Sequence, residues 1–229
     1  MPLFNGDDMK TILAFDTETT GLPNWKIPSD DTSQPHLVQL SGLICDAITG
    51  QELKIFDEII KPDGWIITDE NAAIHGITHE RAMDEGKPES EVVGEFISIW
   101  QASGASRVAH NRTFDQRIIR IALKRYFPET QADWAVKDDF EDTMYLAKSD
   151  MQVGKNPKLI EAYQHYFGKG FEGAHNSLND ARACKEIYIA IKNKAPAKPQ
   201  QLGPGDFKAV EPKKAAPAVN VDKSVNDPF

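Results

Sequence analysis

Residues 10–22, KTILAFDTETTGL, place two carboxylates two positions apart at the end of an apolar run. The run KTILAFD predicts a buried strand, and side chains two positions apart on a strand share one face of the sheet. Asp16 and Glu18 therefore project together. Two like charges this close raise each other's pKa unless a cation lies between them. By itself, however, such a pair is more often two solvated carboxylates at a strand end.

Two predicted helices each carry one aspartate on an otherwise apolar face. In TFDQRIIRIALKRYF, Asp115 shares its stripe with Ile118, whereas the basic side chains around Arg117 fall on the opposite face, which we expect to be solvated. In SLNDARACKEIYIAIK, Asp180 shares its face with Ile187. Each aspartate alone has a structural explanation, because carboxylates in the first turn of a helix are stabilised by the helix dipole.

Taken together, two carboxylates from one strand and two from helices that can pack beside it indicate a metal site. Such a set can hold a pair of Mg²⁺ or Mn²⁺ ions about 3.5–4 Å apart, the arrangement that clamps the attacking and leaving oxygens of a phosphoryl displacement. His175 lies five residues before Asp180 in the loop FEGAHNSLND. An imidazole with a pKa near ~6.5 can act as general base at neutral pH.

The order of the predicted elements indicates an α/β domain over residues 1–193. Three adjacent antiparallel strands open the chain, and strands and helices then alternate, which favours a mixed sheet flanked by helices. Residues 194–229 hold six of the 14 prolines and are rich in alanine and lysine. This composition predicts a flexible, disordered tail that serves either as a solvated linker or as a docking segment for a partner.

Charge and hydropathy narrow the classes of function. The formal net charge of −9 argues against a protein that coats duplex nucleic acid, but it is compatible with a metal-dependent enzyme acting on a strand end. No apolar run approaches the ~18 residues of a membrane span, and the first residues, MPLFNGDDMK, lack the pattern of a secretory signal. We therefore expect a cytoplasmic protein that does not associate with a membrane.

Three motifs in order give the sequence a resemblance to a known family. FDTETTGL, AHNRTFD and HNSLND, the last with His175 and Asp180 in H-x4-D spacing, resemble the motifs of the DEDDh 3′–5′ exonucleases, the DnaQ-like family that includes polymerase proofreading subunits and ribonuclease T. The resemblance covers roughly residues 10–193. It implies a ribonuclease H-like fold with a five-stranded mixed sheet.

The resemblance also implies a role for each matching residue. Asp16 would bridge two metal ions, Glu18 and Asp180 would bind the first ion, Asp115 would support the second, and His175 would be the general base. Further residues would lie near the terminal nucleotide of the substrate: Thr17, Thr20, Leu22, His75, Asn111 and Phe114.

The sequence thus predicts a metal-dependent 3′–5′ exonuclease that releases nucleoside 5′-monophosphates, with single-stranded DNA favoured as the substrate, as in proofreading or repair. One alternative is an exoribonuclease that trims RNA 3′ ends. Another is a non-catalytic, polymerase-associated binding module of the same fold, which the complete set of ligands and base disfavours. A polymerase or other protein partner would bind through the tail.

Overall fold

The computed structural model describes residues 10–193, so the predictions about the tail at 194–229 lie outside the described residues. The strands are β1 (Thr11–Thr19), β2 (Leu37–Asp46), β3 (Glu52–Lys61), β4 (Lys87–Pro88), β5 (Ser106–Ala109) and β6 (Phe140–Asp142). The helices are α1 (Asp69–His75), α2 (His79–Glu85), α3 (Glu89–Ser103), α4 (Arg112–Tyr126), α5 (Gln131–Ala135), α6 (Thr143–Asp150), α7 (Leu159–Phe167) and α8 (Ser177–Lys192).

The strands form one mixed sheet in the order β4-β3-β2-β1-β5-β6. The β1, β2 and β3 strands pair antiparallel, and β5 and β6 extend the sheet in parallel from β1. The predicted mixed α/β fold is confirmed, but the sheet has six strands rather than five. The additional strand, β4, has two residues and ends in Pro88. Proline has no backbone N–H to donate to a ladder and is tolerated at such an edge, and two residues are too few to show a strand periodicity.

Helices cover both faces of the sheet. On one face, Leu13 and Phe15 of β1 pack with side chains of α3 and α4 in the main core cluster. On the other face, Ile12 and Val108 pack against Cys184 of α8. Between residues 10 and 193, no helix combines the length and the apolar composition that a membrane span requires.

A close contact brings α3 onto the sheet. A Cβ atom added at Gly42 of β2 would lie 2.8 Å from Cε2 of Phe96, so only glycine leaves room for this ring. Phe96 also lies 5.6 Å, centroid to centroid, from Phe15, which in turn meets Trp134 edge-on at 5.5 Å. Since fully burying an aromatic ring of this size contributes about 2–3 kcal/mol, this cluster fixes β1 firmly at the centre of the domain.

Residues 21–35 form a loop that one buried side chain holds in place. The Gln34 amide accepts from Asn24 N and donates to the carbonyl oxygens of Asn24, Ile27 and Pro28. Arg117 of α4 donates to Ile27 O at 2.7 Å and is only 5% exposed. The prediction that Arg117 lies on a solvated face is therefore wrong, because the loop packs over that part of the helix.

Candidate active site

Three carboxylates converge where β1 meets the start of α8. One carboxylate oxygen from each of Asp16, Glu18 and Asp180 lies within 4.8 Å of the others. Asp16 and Glu18 alternate along β1 and so point to the face that α8 covers, while Asp180 comes from the first turn of α8. The strand pattern and the helix stripe thus bring these side chains to one place.

Burial and mutual repulsion oppose ionisation of this cluster. Desolvation, followed by the charges of Asp115, Asp180 and Glu18, raises the pKa of Asp16 well above its usual range. Desolvation and the charges of Asp180 and Asp115 raise the pKa of Glu18 to about 8. Burial raises the pKa of Asp180 to about 6, although a backbone hydrogen bond and the charge of His175 act in the opposite direction. A bound cation would relieve this repulsion.

Asp115 lies outside the group of three carboxylates but beside it. It is 2% exposed, and its Oδ1 accepts a hydrogen bond from the Thr17 hydroxyl at 2.8 Å. Burial raises the pKa of Asp115 to about 7, while the Thr17 hydrogen bond acts to lower it. Because its charge is among those that raise the pKa of Asp16, Asp115 belongs to the same electrostatic site.

The donor set fits a hard divalent cation. Oδ1 of Asp180 is buried and has no hydrogen-bond partner among the described residues, whereas Oδ2 accepts from the backbone N–H of His175 at 3.2 Å. A buried carboxylate oxygen without a partner is unfavourable, and oxygen ligands are those that Mg²⁺ and Mn²⁺ prefer. The oxygen is thus available to a cation held with Asp16 and Glu18.

His175 lies in the loop directly before α8. Its backbone is left-handed, with φ 67°, and its side chain is exposed. The hydrogen bond from its N–H to Asp180 places the residue at the edge of the carboxylate cluster. An exposed imidazole at this position is accessible to solvent and can accept a proton from a water molecule.

His75, at the end of α1, is the second histidine near the site. It is 6% exposed, and Nδ1 accepts from Ile77 N at 3.2 Å, so in the neutral ring the proton is on Nε2. Nε2 is buried and has no partner among the described residues. Burial, and secondly the charge of His175, lower the pKa of His75. His75 therefore presents a neutral N–H donor close to His175.

The other residues expected near the substrate lie in different surroundings. Thr20 accepts a hydrogen bond from His36 N at the neck of the loop, while Leu22 is 83% exposed. Asn111 is exposed and left-handed, with φ 66°, directly before α4. Phe114 packs against the main core. Leu22 and Asn111 are thus accessible, whereas Phe114 is partly buried by its contacts with the core.

Two polar features near the site were not assigned from the sequence. The Asp142 carboxylate accepts from Asn111 N and Arg112 N and so shapes the entry to α4. Gln39 and Ser41 of β2 are cross-strand partners of Glu18 and Asp16. The sequence does contain an indication of this pair, because Gln39 and Ser41 are two positions apart in the otherwise apolar run HLVQLSGLIC and so share one face of the strand.

The exonuclease family model named RNase_T matches residues 13–188. The DNA polymerase III PolC-type protein of Thermotoga maritima is 27% identical over 179 residues, which cover 78% of this chain and 12% of that protein. The DNA polymerase III subunit epsilon of Treponema pallidum is 26% identical over 180 residues, covering 78% of this chain and 74% of the relative. The chain thus spans about an eighth of the PolC-type relatives that it matches.

Solved structures share the fold. Escherichia coli exonuclease I in complex with a dT13 oligonucleotide superposes with a TM-score of 0.64 at 20% identity, over 82% of this chain and 42% of that chain. The nuclease domain of 3′hExo, a DEDDh family member bound to rAMP, superposes with a TM-score of 0.63 at 14% identity, over 83% of this chain and 96% of that chain.

Proposed function

This chain belongs to the exonuclease family, and we propose that it is a metal-dependent 3′–5′ exonuclease that acts on single-stranded DNA. One observation carries the proposal: Asp16, Glu18 and Asp180 bring carboxylate oxygens within 4.8 Å of one another, and the buried Oδ1 of Asp180 has no partner among the described residues. Without a cation this arrangement is unfavourable, and with one it becomes a catalytic centre for phosphodiester hydrolysis.

Asp16, Glu18 and Asp180 would hold a divalent ion, Mg²⁺ or Mn²⁺, and Asp115 would support a second ion from beside the cluster. When bound, the two ions supply positive charge at the attacking and leaving oxygens of an in-line displacement. The Thr17 hydroxyl donates to Oδ1 of Asp115. This contact fixes the orientation of the whole carboxylate, including Oδ2. All four carboxylates therefore have positions fixed by β1, α4 and α8.

His175 would act as the general base. In this reaction a water oxygen attacks the terminal phosphorus, His175 accepts the proton of that water, and the bond from phosphorus to the 3′ oxygen of the penultimate nucleotide breaks. That 3′ oxygen leaves and takes up a proton, and the product is a nucleoside 5′-monophosphate. The exposed side chain of His175 suits this role because it can exchange its proton with solvent between turnovers.

Neutral and apolar groups would hold the terminal nucleotide. The Nε2–H of His75 is a donor without a partner among the described residues, and an oxygen of the nucleotide would satisfy it where substrate binding uncovers this buried nitrogen. Leu22, at 83% exposed, can contact a base face, and such contacts are insensitive to base identity. Thr17, Thr20, Asn111 and Phe114 complete the proposed contact set.

DNA is proposed over RNA because the relatives are named as DNA polymerase III components and the exonuclease I structure holds a DNA oligonucleotide. The polymerase names also support a protein partner, for which residues 194–229 would be the docking segment. The nuclease domain of 3′hExo, which shares the fold, is bound to rAMP, so the test must also include an RNA substrate.

The test is a time course on a 5′-labelled single-stranded DNA oligonucleotide with Mg²⁺, with Mn²⁺ and with EDTA, beside the same sequence as RNA. The proposal expects a ladder that shortens from the 3′ end only with metal, faster on DNA, and that vanishes in Asp16→Ala. Asp63→Ala, which removes an exposed carboxylate elsewhere, is the matched control and should leave the ladder unchanged. A ladder that persists in EDTA or in Asp16→Ala would contradict the proposed metal-dependent site.

A further inference from the structure

A row of polar side chains crosses the sheet beside the carboxylates. Asp16 of β1 is the cross-strand partner of Ser41 of β2, and Ser41 is the partner of Asp57 of β3. Glu18 is in the same way the partner of Gln39. Because directly opposed residues point to the same face, this row lies on the face that α8 covers.

Gln39 connects this row to the residues that follow His175. Its Oε1 accepts from the backbone N–H of Ser177 at 3.3 Å and from Nδ2 of Asn176 at 3.4 Å. Its Nε2 donates to Oδ1 of Asp57 at 2.8 Å. Gln39 is 3% exposed, so its amide is satisfied within the protein rather than by bulk water.

Ser41 adds a second connection between the same parts of the molecule. Its hydroxyl donates to Oδ1 of Asp57 at 2.7 Å and also lies within hydrogen-bonding distance of the Ser177 hydroxyl. Ser41 and Ser177 are both fully buried. Asp57 thus receives two donors and fixes the orientation in which Gln39 turns Oε1 toward Asn176 and Ser177.

We propose that Gln39 is a positioning residue that holds His175 in place through Asn176 and Ser177, an inference that rests on the proposed function. His175 immediately precedes these residues and has a left-handed backbone, with φ 67°, a conformation that is uncommon for residues other than glycine, although histidine adopts it more readily than most. Its side chain is exposed. The anchoring of Asn176 and Ser177 by Gln39, together with the hydrogen bond from His175 N–H to Asp180, therefore sets the backbone position from which the imidazole projects.

The body of α8 is held by contacts that do not involve Gln39. Its apolar face packs on the sheet through Ala181, Cys184 and Tyr188, all beyond the first turn of the helix. Loss of Gln39 is therefore expected to loosen residues 175–177 and to leave Asp180 and the metal cluster in place.

The test is a double-mutant cycle in the full-length protein, measured as the single-turnover rate on a 5′-labelled single-stranded DNA oligonucleotide with saturating Mn²⁺. Gln39→Leu should lower the rate about 10- to 100-fold, because displacing a catalytic group by about 1 Å has an effect of this size, and KM should stay within about twofold. In the His175→Ala background, Gln39→Leu should have no further effect.

Asp57→Ala supplies a second variant, whose fold is checked by circular dichroism because Asp57 accepts from the buried Gln39 and Ser41. It removes the acceptor that orients Gln39 and should give a smaller loss that also disappears in the His175→Ala background. Tyr166→Phe, which removes a partly buried hydrogen bond to Asp150 between α7 and α6, is the control for a structural effect and should leave the rate unchanged.

The possible outcomes separate this inference from the proposed function. If His175→Ala lowers the rate but Gln39→Leu lowers it equally with or without His175, the positioning role is wrong and the exonuclease proposal stands. If His175→Ala has no effect on a metal-dependent ladder, the general base and this inference both fail. If the wild-type protein forms no ladder, the proposed function fails first.

Discussion

The backbone N–H of His175 donates to Oδ2 of Asp180 at 3.2 Å, and Oδ1 of the same carboxylate is buried without a partner among the described residues. One oxygen is thus used to fix the loop that carries the proposed base, and the other remains available to a cation.

Asp180→Asn should abolish hydrolysis while the fold remains intact. The amide keeps an oxygen that can accept from His175 N but lacks the negative charge that a divalent cation requires. We expect a loss of at least about 10³-fold in kcat, together with weaker Mn²⁺ binding by calorimetry. Circular dichroism should be unchanged, and a variant with wild-type kcat would exclude Asp180 from the metal site.

Replacement of His175 should separate chemistry from metal binding. His175→Ala removes the imidazole but leaves the backbone N–H that contacts Asp180, so the carboxylate cluster should bind Mn²⁺ as before. The single-turnover rate should fall about 10²- to 10⁴-fold, the usual range for a lost general base. An unchanged rate would remove His175 from that role, and an equal loss of Mn²⁺ affinity would assign it to the metal site instead.

His75 offers a matched pair of variants, because its two ring nitrogens have different surroundings. Asparagine can replace Nδ1 as the acceptor for Ile77 N, whereas glutamine can place its amide N–H near the position of Nε2. His75→Asn should raise KM about 10-fold, as expected for a lost hydrogen bond, and His75→Gln should retain part of the affinity. Equal KM values for both variants and the wild type would show that Nε2 does not contact the nucleotide.

The carboxylate cluster should make the metal-free protein less stable as the pH rises. Burial raises the folded-state pKa of Glu18 to about 8, of Asp115 to about 7 and of Asp180 to about 6, whereas unfolded carboxyls titrate near about 4. Below about pH 4 both states are protonated. As the pH rises toward 8, the folded state retains more protons than the unfolded state, so the free energy of unfolding falls.

Thermal melting in EDTA at pH 5 and pH 8 measures this effect, with Asp16→Asn as the comparison. The variant should melt at a higher temperature than the wild type at pH 8, and the difference should shrink at pH 5. Added Mn²⁺ should stabilise the wild type more at pH 8 than at pH 5 and should have little effect on the variant. If the melting temperatures of the wild type and the variant depended on pH in the same way, the carboxylate cluster would not be the cause of the pH-dependent stability.

Deletion of residues 194–229 should leave exonuclease activity within about twofold of the full chain, because every element that builds the site lies within residues 10–193. Partner binding is a separate property, and the prediction is that a polymerase partner, if one co-purifies with the full chain, is lost on deletion. A truncated protein that folds but is inactive would place part of the catalytic machinery in the tail.

The sequence predicted the placement of the carboxylates where simple periodicity applies. The alternation along β1 and the apolar stripe of α8 were sufficient to bring Asp16, Glu18 and Asp180 to a common face. The inward direction of Asp115 was also predictable, and it is 2% exposed. The distance of Asp115 from the other three carboxylates depends on how α4 packs against the sheet. The periodicity of apolar residues along a helix does not determine that packing. The catalytic roles of all these residues stay predictions.

Long-range packing explains what the sequence did not predict. Arg117 falls on the polar side of α4 by periodicity, yet the loop at residues 21–35 covers it, because the folding of that loop depends on Gln34 contacts that no periodic pattern encodes. The two-residue strand β4 exists through its pairing with β3 and not through any local preference. The link from Gln39 to Ser177 spans 138 positions and depends on the tertiary fold.

The central claim is best tested by the identity of the first product. A single-stranded DNA oligonucleotide should be digested with Mn²⁺ in water enriched in ¹⁸O, and the released mononucleotides analysed by mass spectrometry. The account predicts the nucleoside 5′-monophosphate of the 3′-terminal base, with one ¹⁸O in its phosphate, and no product from Asp16→Ala. Release of a nucleoside 3′-monophosphate, or of the 5′-terminal base first, would contradict it.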